Sequence, residues 1–202
     1  MTNDVVWSFG FKEVAGFIVE RHILDGDSSK IQYVDTTPEK GHNPQFKPGR
    51  LYSGRAVKAD HVPTRIEWCS KKHPPYDVFI LQGLIVVSDT FKDIIEGLEP
   101  EVHQFFPIEV VYKDDSPARQ MYFFNICNRL DTMDRESTTA TFEQIYWKPE
   151  TGDFAFSKAA IGARHAWRDK HVHHGTFLSD AAKTAMEKAR VSGITFHSFP
   201  VY

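Results

Sequence analysis

Nothing in the sequence is apolar over a length that could cross a bilayer. Its longest hydrophobic runs, Leu84-Ile85-Val86-Val87 among them, are strand-sized, well short of the ~20 residues a spanning helix needs. The opening residues, MTNDVVWSFGFKEV, lack the basic start and apolar centre of a secretory signal. Cysteine is scarce. Cys69 and Cys127 stand far apart and match neither a zinc-ligand pair nor a redox C-x-x-C, so a reducing compartment is the simpler reading and the cytoplasm is the expected location. Excess positive charge is also missing: 24 Lys and Arg face 27 Asp and Glu, for a net charge of −3 and a pI near 6.4. That leaves no electrostatic footprint for nucleic acid, and no acidic block is present to clamp a basic partner. The patterns Gly-x-Ser-x-Gly, the P-loop, Gly-x-Gly-x-x-Gly and His-Glu-x-x-His are absent too.

What the chain does have is bulk. Sixteen Phe, seven Tyr and four Trp in 202 residues supply enough apolar surface for a core, on a scale that suits one domain. Residues 1–75 read as a loop-rich N-terminal lobe. Strand-like runs, Gly16-Phe17-Ile18-Val19 and Ile31-Gln32-Tyr33-Val34, alternate there with a turn-rich stretch over 36–50 that holds Pro38, Gly41, Asn43, Pro44, Pro48 and Gly49. Pro74-Pro75 then imposes an extended break.

Residues 76–202 read as the main α+β domain, expected to form one compact unit with the lobe. Strand-like Val78–Leu81 and Leu84–Val87 flank Gln82-Gly83. Ser88 offers a helix N-cap, and Phe91, Ile94, Ile95 and Leu98 follow at i, i+3, i+4 and i+7 until Pro100 ends the helix. Strands are expected over 105–112, 121–126, 142–147 and 154–156. The C-terminal segment repeats the plan. Ser179 caps a stripe of Ala182, Ala185, Met186 and Ala189, each 91 positions after its counterpart in the first helix, and Phe196 lies 91 after Phe105. The expected fold is therefore α+β: a mixed or antiparallel sheet with two short amphipathic covering helices and an internal strand–helix–strand repeat.

Three segments in order, LIVVSDTFKDIIEGLEPEVHQFFPIEV, MYFFNICNRLDTMDRES and GTFLSDAAKTAMEKARVSGITFHSFPV, resemble the immunity-protein-eleven family of bacterial polymorphic toxin systems, once catalogued as a domain of unknown function. The likeness covers residues 76–200. It implies an antidote that binds and neutralises a cognate toxin, with no catalytic residues to carry over; no cofactor is expected, the oligomeric state stays open, and residence in the cytoplasm would place the toxin's action there as well. The partner expected is thus a toxin domain, not nucleic acid or membrane.

Candidate contact residues lie in charged turns that should project into solvent: Asp114 and Asp115 in the segment 113–118, and Asp131, Asp134, Arg135 and Glu136 in 131–136, with the 36–50 stretch as a third surface. Arg135 is spaced to pair with Asp131 at i+4. The competing reading is a metal-dependent hydrolase built on the 165–174 region, in which His171 and His173, on one face of a strand, would be ligands. A polar loop entering the last strand is the plainer account, because a metal site wants three or four ligands.

Overall fold

A computed structural model describes residues 5–13, 16–39 and 46–202. Two mixed sheets dominate it. The larger has six strands in the order β2-β3-β6-β7-β5-β4, with β2 at Arg21–Ile23, β3 at Arg65–Trp68, β4 at Val78–Leu81, β5 at Leu84–Val87, β6 at Gln104–Tyr112 and β7 at Pro117–Asn125. The smaller has the order β13-β1-β12-β11-β8, from β1 (Val5–Phe11), β8 (Arg129–Leu130), β11 (Ala166–Asp169), β12 (Phe177–Ser179) and β13 (Ile194–Pro200). A separate hairpin joins β9 (Thr141–Glu143) to β10 (Tyr146–Lys148). The helices are α1 (Asp89–Leu98), a single turn α2 (Lys158–Ile161) and α3 (Asp180–Lys188). The α+β expectation holds, with two sheets instead of one.

Both long helices start as the sequence predicts. The Phe91 amide donates to Ser88 Oγ at 3.4 Å, and the Ala182 amide to Ser179 Oγ at 3.2 Å. Each cap satisfies a donor that the first turn would otherwise orphan. Asp89 and Asp180 sit in those first turns, where the helix dipole favours negative charge. In α1 the stripe buries Phe91 and Ile95. In α3 it buries Ala182 and Met186, but the helix ends at Lys188, so Ala189 is an exposed cap residue and not part of the packed stripe.

The strand–helix–strand units have the same topology. In the first, β5 and β6 run parallel with β7 antiparallel between them. In the second, β12 and β13 run parallel with β1 antiparallel between them. One inserted strand comes from just after its unit, the other from the start of the chain. Phe105 pairs with Phe124 and Phe196 with Phe9 in the same relation. The Phe91 ring touches both inserted strands, 5.3 Å from Phe124 and 6.3 Å from Phe9. A single core layer thus joins the sheets, with α1 against α3.

The run Leu84–Val87 is buried throughout because both faces of β5 are covered. Ile85 and Val87 face the helices, while Leu84 and Val86 face a second cluster roofed by Val19, Ile31, Tyr33, Leu51, Val57 and Val62. The expected strands at 16–19 and 31–34 do not form. Val19 alone of the first run is buried, with Phe17 and Ile18 exposed, and the second makes only an isolated bridge, Tyr33 to Val57. These segments roof the sheet through single side chains, which does not require pairing. Residues 154–156 likewise make only isolated bridges, through Phe156 to Met133 and Val201.

Glu99, at the C-cap of α1, fastens the two units. It is 4% exposed and accepts from the Ala166 amide at 2.8 Å and from Asn128 Nδ2 at 2.9 Å, with His103 Nε2 at 3.0 Å. His103 Nδ1 accepts the Cys127 amide, so the ring proton sits on Nε2 and points at the carboxylate. Burial alone would push the Glu99 carboxyl up, but the bonds from His103 and Ala166 outweigh it and hold the pKa below the ordinary 4.5. The folded chain therefore binds that proton more weakly than the unfolded chain does. The contribution to stability is complete above pH 4.5 and is lost as pH falls through the lowered value.

Two measurements test this account. Glu99→Gln should cost about 2–3 kcal/mol in urea unfolding at pH 7 and flatten the loss of stability below pH 4.5. Among glycines, Gly193 has φ +82° and a Cβ there would lie 2.1 Å from Val78 O, whereas a Cβ on Gly97 of α1 meets nothing within 4 Å. Gly193→Ala should cost more than about 2 kcal/mol, and Gly97→Ala should add about 0.5–1 kcal/mol.

Candidate functional site

Four of the predicted contact residues gather into one patch on the five-stranded sheet. The segment 131–136 follows directly from β8. Asp134 shapes it by accepting the amides of Ser137 at 2.8 Å and Glu136 at 3.1 Å, and the Ser137 bond holds its carboxyl below the usual range. The expected i,i+4 pair is present, with Arg135 Nη2 3.7 Å from Asp131 Oδ2. The Arg135 guanidinium also lies over the rings of Phe142 and Trp147, 5.0 and 5.8 Å from their centroids. The β9–β10 hairpin thereby joins the patch, and Thr141, Phe142, Glu143 and Gln144 at its tip are exposed.

His171, Val172, His173 and His174 form a turn between β11 and β12, not a strand. Asp169 dictates the turn. Its buried carboxylate accepts the amides of Thr132 at 2.7 Å and His171 at 2.8 Å together with the Thr132 hydroxyl. Burial nonetheless raises its pKa. His171 Nδ1 lies 2.8 Å from the Ile145 carbonyl, and Nε2 is 3.5 Å from Asp131. The His173 ring lies 3.7 Å from that of Tyr146. His165, the third imidazole of the region, is bound through Nδ1 to Ser179 Oγ at the head of α3. In a turn the two-residue alternation that would aim His171 and His173 together no longer operates. They serve instead as the seam between the turn and the hairpin.

Asp114 and Asp115 hang from the other sheet, at the β6–β7 turn. Lys71 at 2.7 Å and the Ser116 hydroxyl bring the Asp114 pKa down to about 2, and Asp115 lies 3.3 Å from Arg65. Of the 36–50 stretch, residues 40–45, with Gly41, Asn43 and Pro44, lie outside the described residues. Its near end is pinned: Glu39 accepts from Arg55 at 2.8 Å and Arg129 at 2.9 Å, with Lys170 3.6 Å away.

Sequence reasoning missed two features. Glu20, His22 and Cys69 bring three ligand atoms within 4.8 Å of one another, the only such His/Cys/acid set among the described residues. Glu20 directly precedes β2 and His22 is its middle residue, while Cys69 arrives from just beyond β3, a pairing no local pattern announces. The second is a cleft over Arg168 between the sheets. A wider groove of about 680 Å³ elsewhere is lined by Ser137, Asp153, Phe154, His197 and Phe199 among others, with Asp153 its one carboxylate. Among the described residues no helix is long and apolar enough to cross a membrane.

The model of a family of immunity proteins matches residues 21–200. By class this is an immunity protein. The chain belongs to the Imm11 family, and the match takes in the strands and loops from residue 21 onward as well as the 76–200 region whose motifs resemble it. No curated protein matches the chain.

Both cysteines are unpaired. Burial pushes each thiol up to about 11, helped at Cys69 by its bond to Glu67, so neither is a thiolate near neutrality. Thiol titration of the folded chain at pH 8 should run more than about tenfold slower than for free cysteine, with urea releasing both groups. One fast thiol would overturn this.

Proposed function

We propose that this chain protects its host by binding a cognate bacterial toxin that acts in the cytoplasm, and that it does so by covering the toxin's working surface rather than by a reaction of its own. Family membership carries the reading. The patch gives it physical content. Arg135, Phe142 and Tyr146, with Trp147 buried beneath them, are the side-chain types that dominate binding energy at protein interfaces. They stand on a hairpin and turn held in place by Asp134, Asp169 and His171. Asp131 and Glu136 would form the charged rim of that surface, with the 113–118 turn and its Asp114 and Asp115 as a second contact. Residues 5–68 contribute strands to both sheets, so we treat the N-terminal third and the rest as a single binding unit.

Protection at low toxin levels requires nanomolar binding or better, about −12 kcal/mol. An interface of roughly 1,600 Å² supplies that when a few anchors are fully desolvated.

Co-expression with the toxin encoded beside it should restore growth and yield a complex that survives gel filtration. Arg135→Ala combined with Phe142→Ala should weaken that complex by about 2 kcal/mol or more. Restored growth with no isolable complex would sink occlusion in favour of an indirect route.

A further inference from the structure

Arg168 is the middle of β11, and the strand's alternation sends its side chain inward. Ala166 faces the core layer between the sheets and Trp167 the opposite cluster. Arg168 therefore follows Ala166 inward, in a row with Thr176 and Phe9 across the sheet. There it is 7% exposed. Among the described residues its one side-chain hydrogen bond is from Nη1 to the His174 carbonyl, at 3.2 Å. Every other well-shielded arginine described has a carboxylate: Arg21 has Glu13, Arg55 and Arg129 share Glu39, and Arg119 has Asp77. Among the described residues no carboxylate pairs with Arg168.

The guanidinium borders a cleft of about 360 Å³, closed by Phe9, Phe11, Tyr52, Ile80 and His174. The local field is positive. Burial lowers the Arg168 pKa to about 10, and the imidazole of His174, itself lowered first by burial, is lowered further by the charges of Arg168 and Arg50. A buried cation without an anion is costly, and a planar guanidinium is built to grip a carboxylate in two-point fashion.

We propose that this cleft seats an acidic side chain, an aspartate or glutamate, presented by the protein that the chain binds. The inference rests on the toxin-binding reading and deepens it by naming the chemistry of one anchor. Two observations favour a protein over a free small anion. The rim carries Phe11 and Ile80, 37% and 40% exposed, an apolar collar of the kind that excludes water around a buried interface contact. The cleft is also continuous with the aromatic patch: the Tyr52 ring lies tilted against His174 at 4.2 Å, His174 lies 5.9 Å from His173, and His173 rests on Tyr146 of the hairpin.

The test has three readouts. Arg168→Met replaces the charge with a side chain of similar length. Its melting temperature should equal or exceed that of the parent, because an unpaired buried charge is removed, and a clear drop would mark Arg168 as structural and overturn the proposal. Titration of the labelled chain with N-acetylglutamate methylamide should move the Arg168 Nε and His174 signals at millimolar concentration, and Arg168→Met should abolish the effect. Inorganic phosphate binding in place of the glutamate probe, or neither binding, overturns it. Affinity for the neighbouring toxin should fall about 100-fold in Arg168→Met and less in Arg168→Lys. If the parent binds toxin and the Met variant binds it equally, this anchor is wrong while the toxin-binding reading stands. If the parent binds no toxin, that reading fails, and the anchor with it.

Discussion

A carboxylate taken out of water must have its lone pairs filled or the fold loses several kcal/mol, and Glu99 is such a group at the joint of this molecule. Its donors come from three places: His103 on the way to β6, Asn128 beyond β7, and the Ala166 amide that opens β11. Since all three must converge on one carboxylate, the first strand–helix–strand unit and the five-stranded sheet cannot slide past each other without orphaning a buried charge. The position of β11 follows, and with it the inward aim of Arg168 two residues later. Asp169 then fixes the next turn from the opposite face of the same strand. A four-residue strand, Ala-Trp-Arg-Asp, thus connects the joint, the cleft and the histidine turn.

The repeat explains why such a joint is needed. A parallel pair of strands linked by a helix leaves a gap for a third strand, and each unit here fills it differently. The first uses β7, next along the chain. The second takes β1, whose partners in β12 and β13 lie about 170 or more residues away in sequence. Local structure was legible for that reason: caps at Ser88 and Ser179, the stop at Pro100, and the stripe of α1 all depend on neighbours within a few positions. The role of β1 was not. Val5–Phe11 has strand-like content, but its partners are Phe177–Ser179 and Ile194–Pro200, and no local pattern encodes a pairing at that separation.

The same division holds for the candidate site. The 131–136 turn, its Asp131–Arg135 pair and the polar loop at 171–174 could be read from composition and spacing, because charged turns project and i,i+4 pairs meet. Their association with Phe142, Tyr146 and Trp147 could not, since the neighbouring hairpin docks on both segments through rings whose contacts leave no periodic trace. Arg168 was hidden for a different reason. In the string Trp-Arg-Asp-Lys it looks like an ordinary surface charge, and only the alternation from Ala166 through Trp167, once β11 is known to be covered on both sides, reveals that it points inward.

An arginine placed there is not explained by the needs of the fold. The chain has a working solution for shielded arginines and uses it at Arg21, Arg55, Arg119 and Arg129, each placed against a carboxylate, with Glu39 shared by Arg55 and Arg129. Arg129 is the register partner of Arg168 on the adjacent parallel strand, so Glu39 satisfies one of two neighbouring cations and leaves the other. Methionine or leucine at 168 would fill the same space without desolvating a charge. A protein that keeps the more costly residue gains only if something supplies the missing anion at the moment of use. A binding protein gains most, because a charge already desolvated and aimed in the free state turns its own strain into affinity for a partner that carries the complement. On that proposal, a partner lacking the carboxylate would leave the cation buried and unpaired, so wrong partners would be rejected by the same physics that rewards the right one.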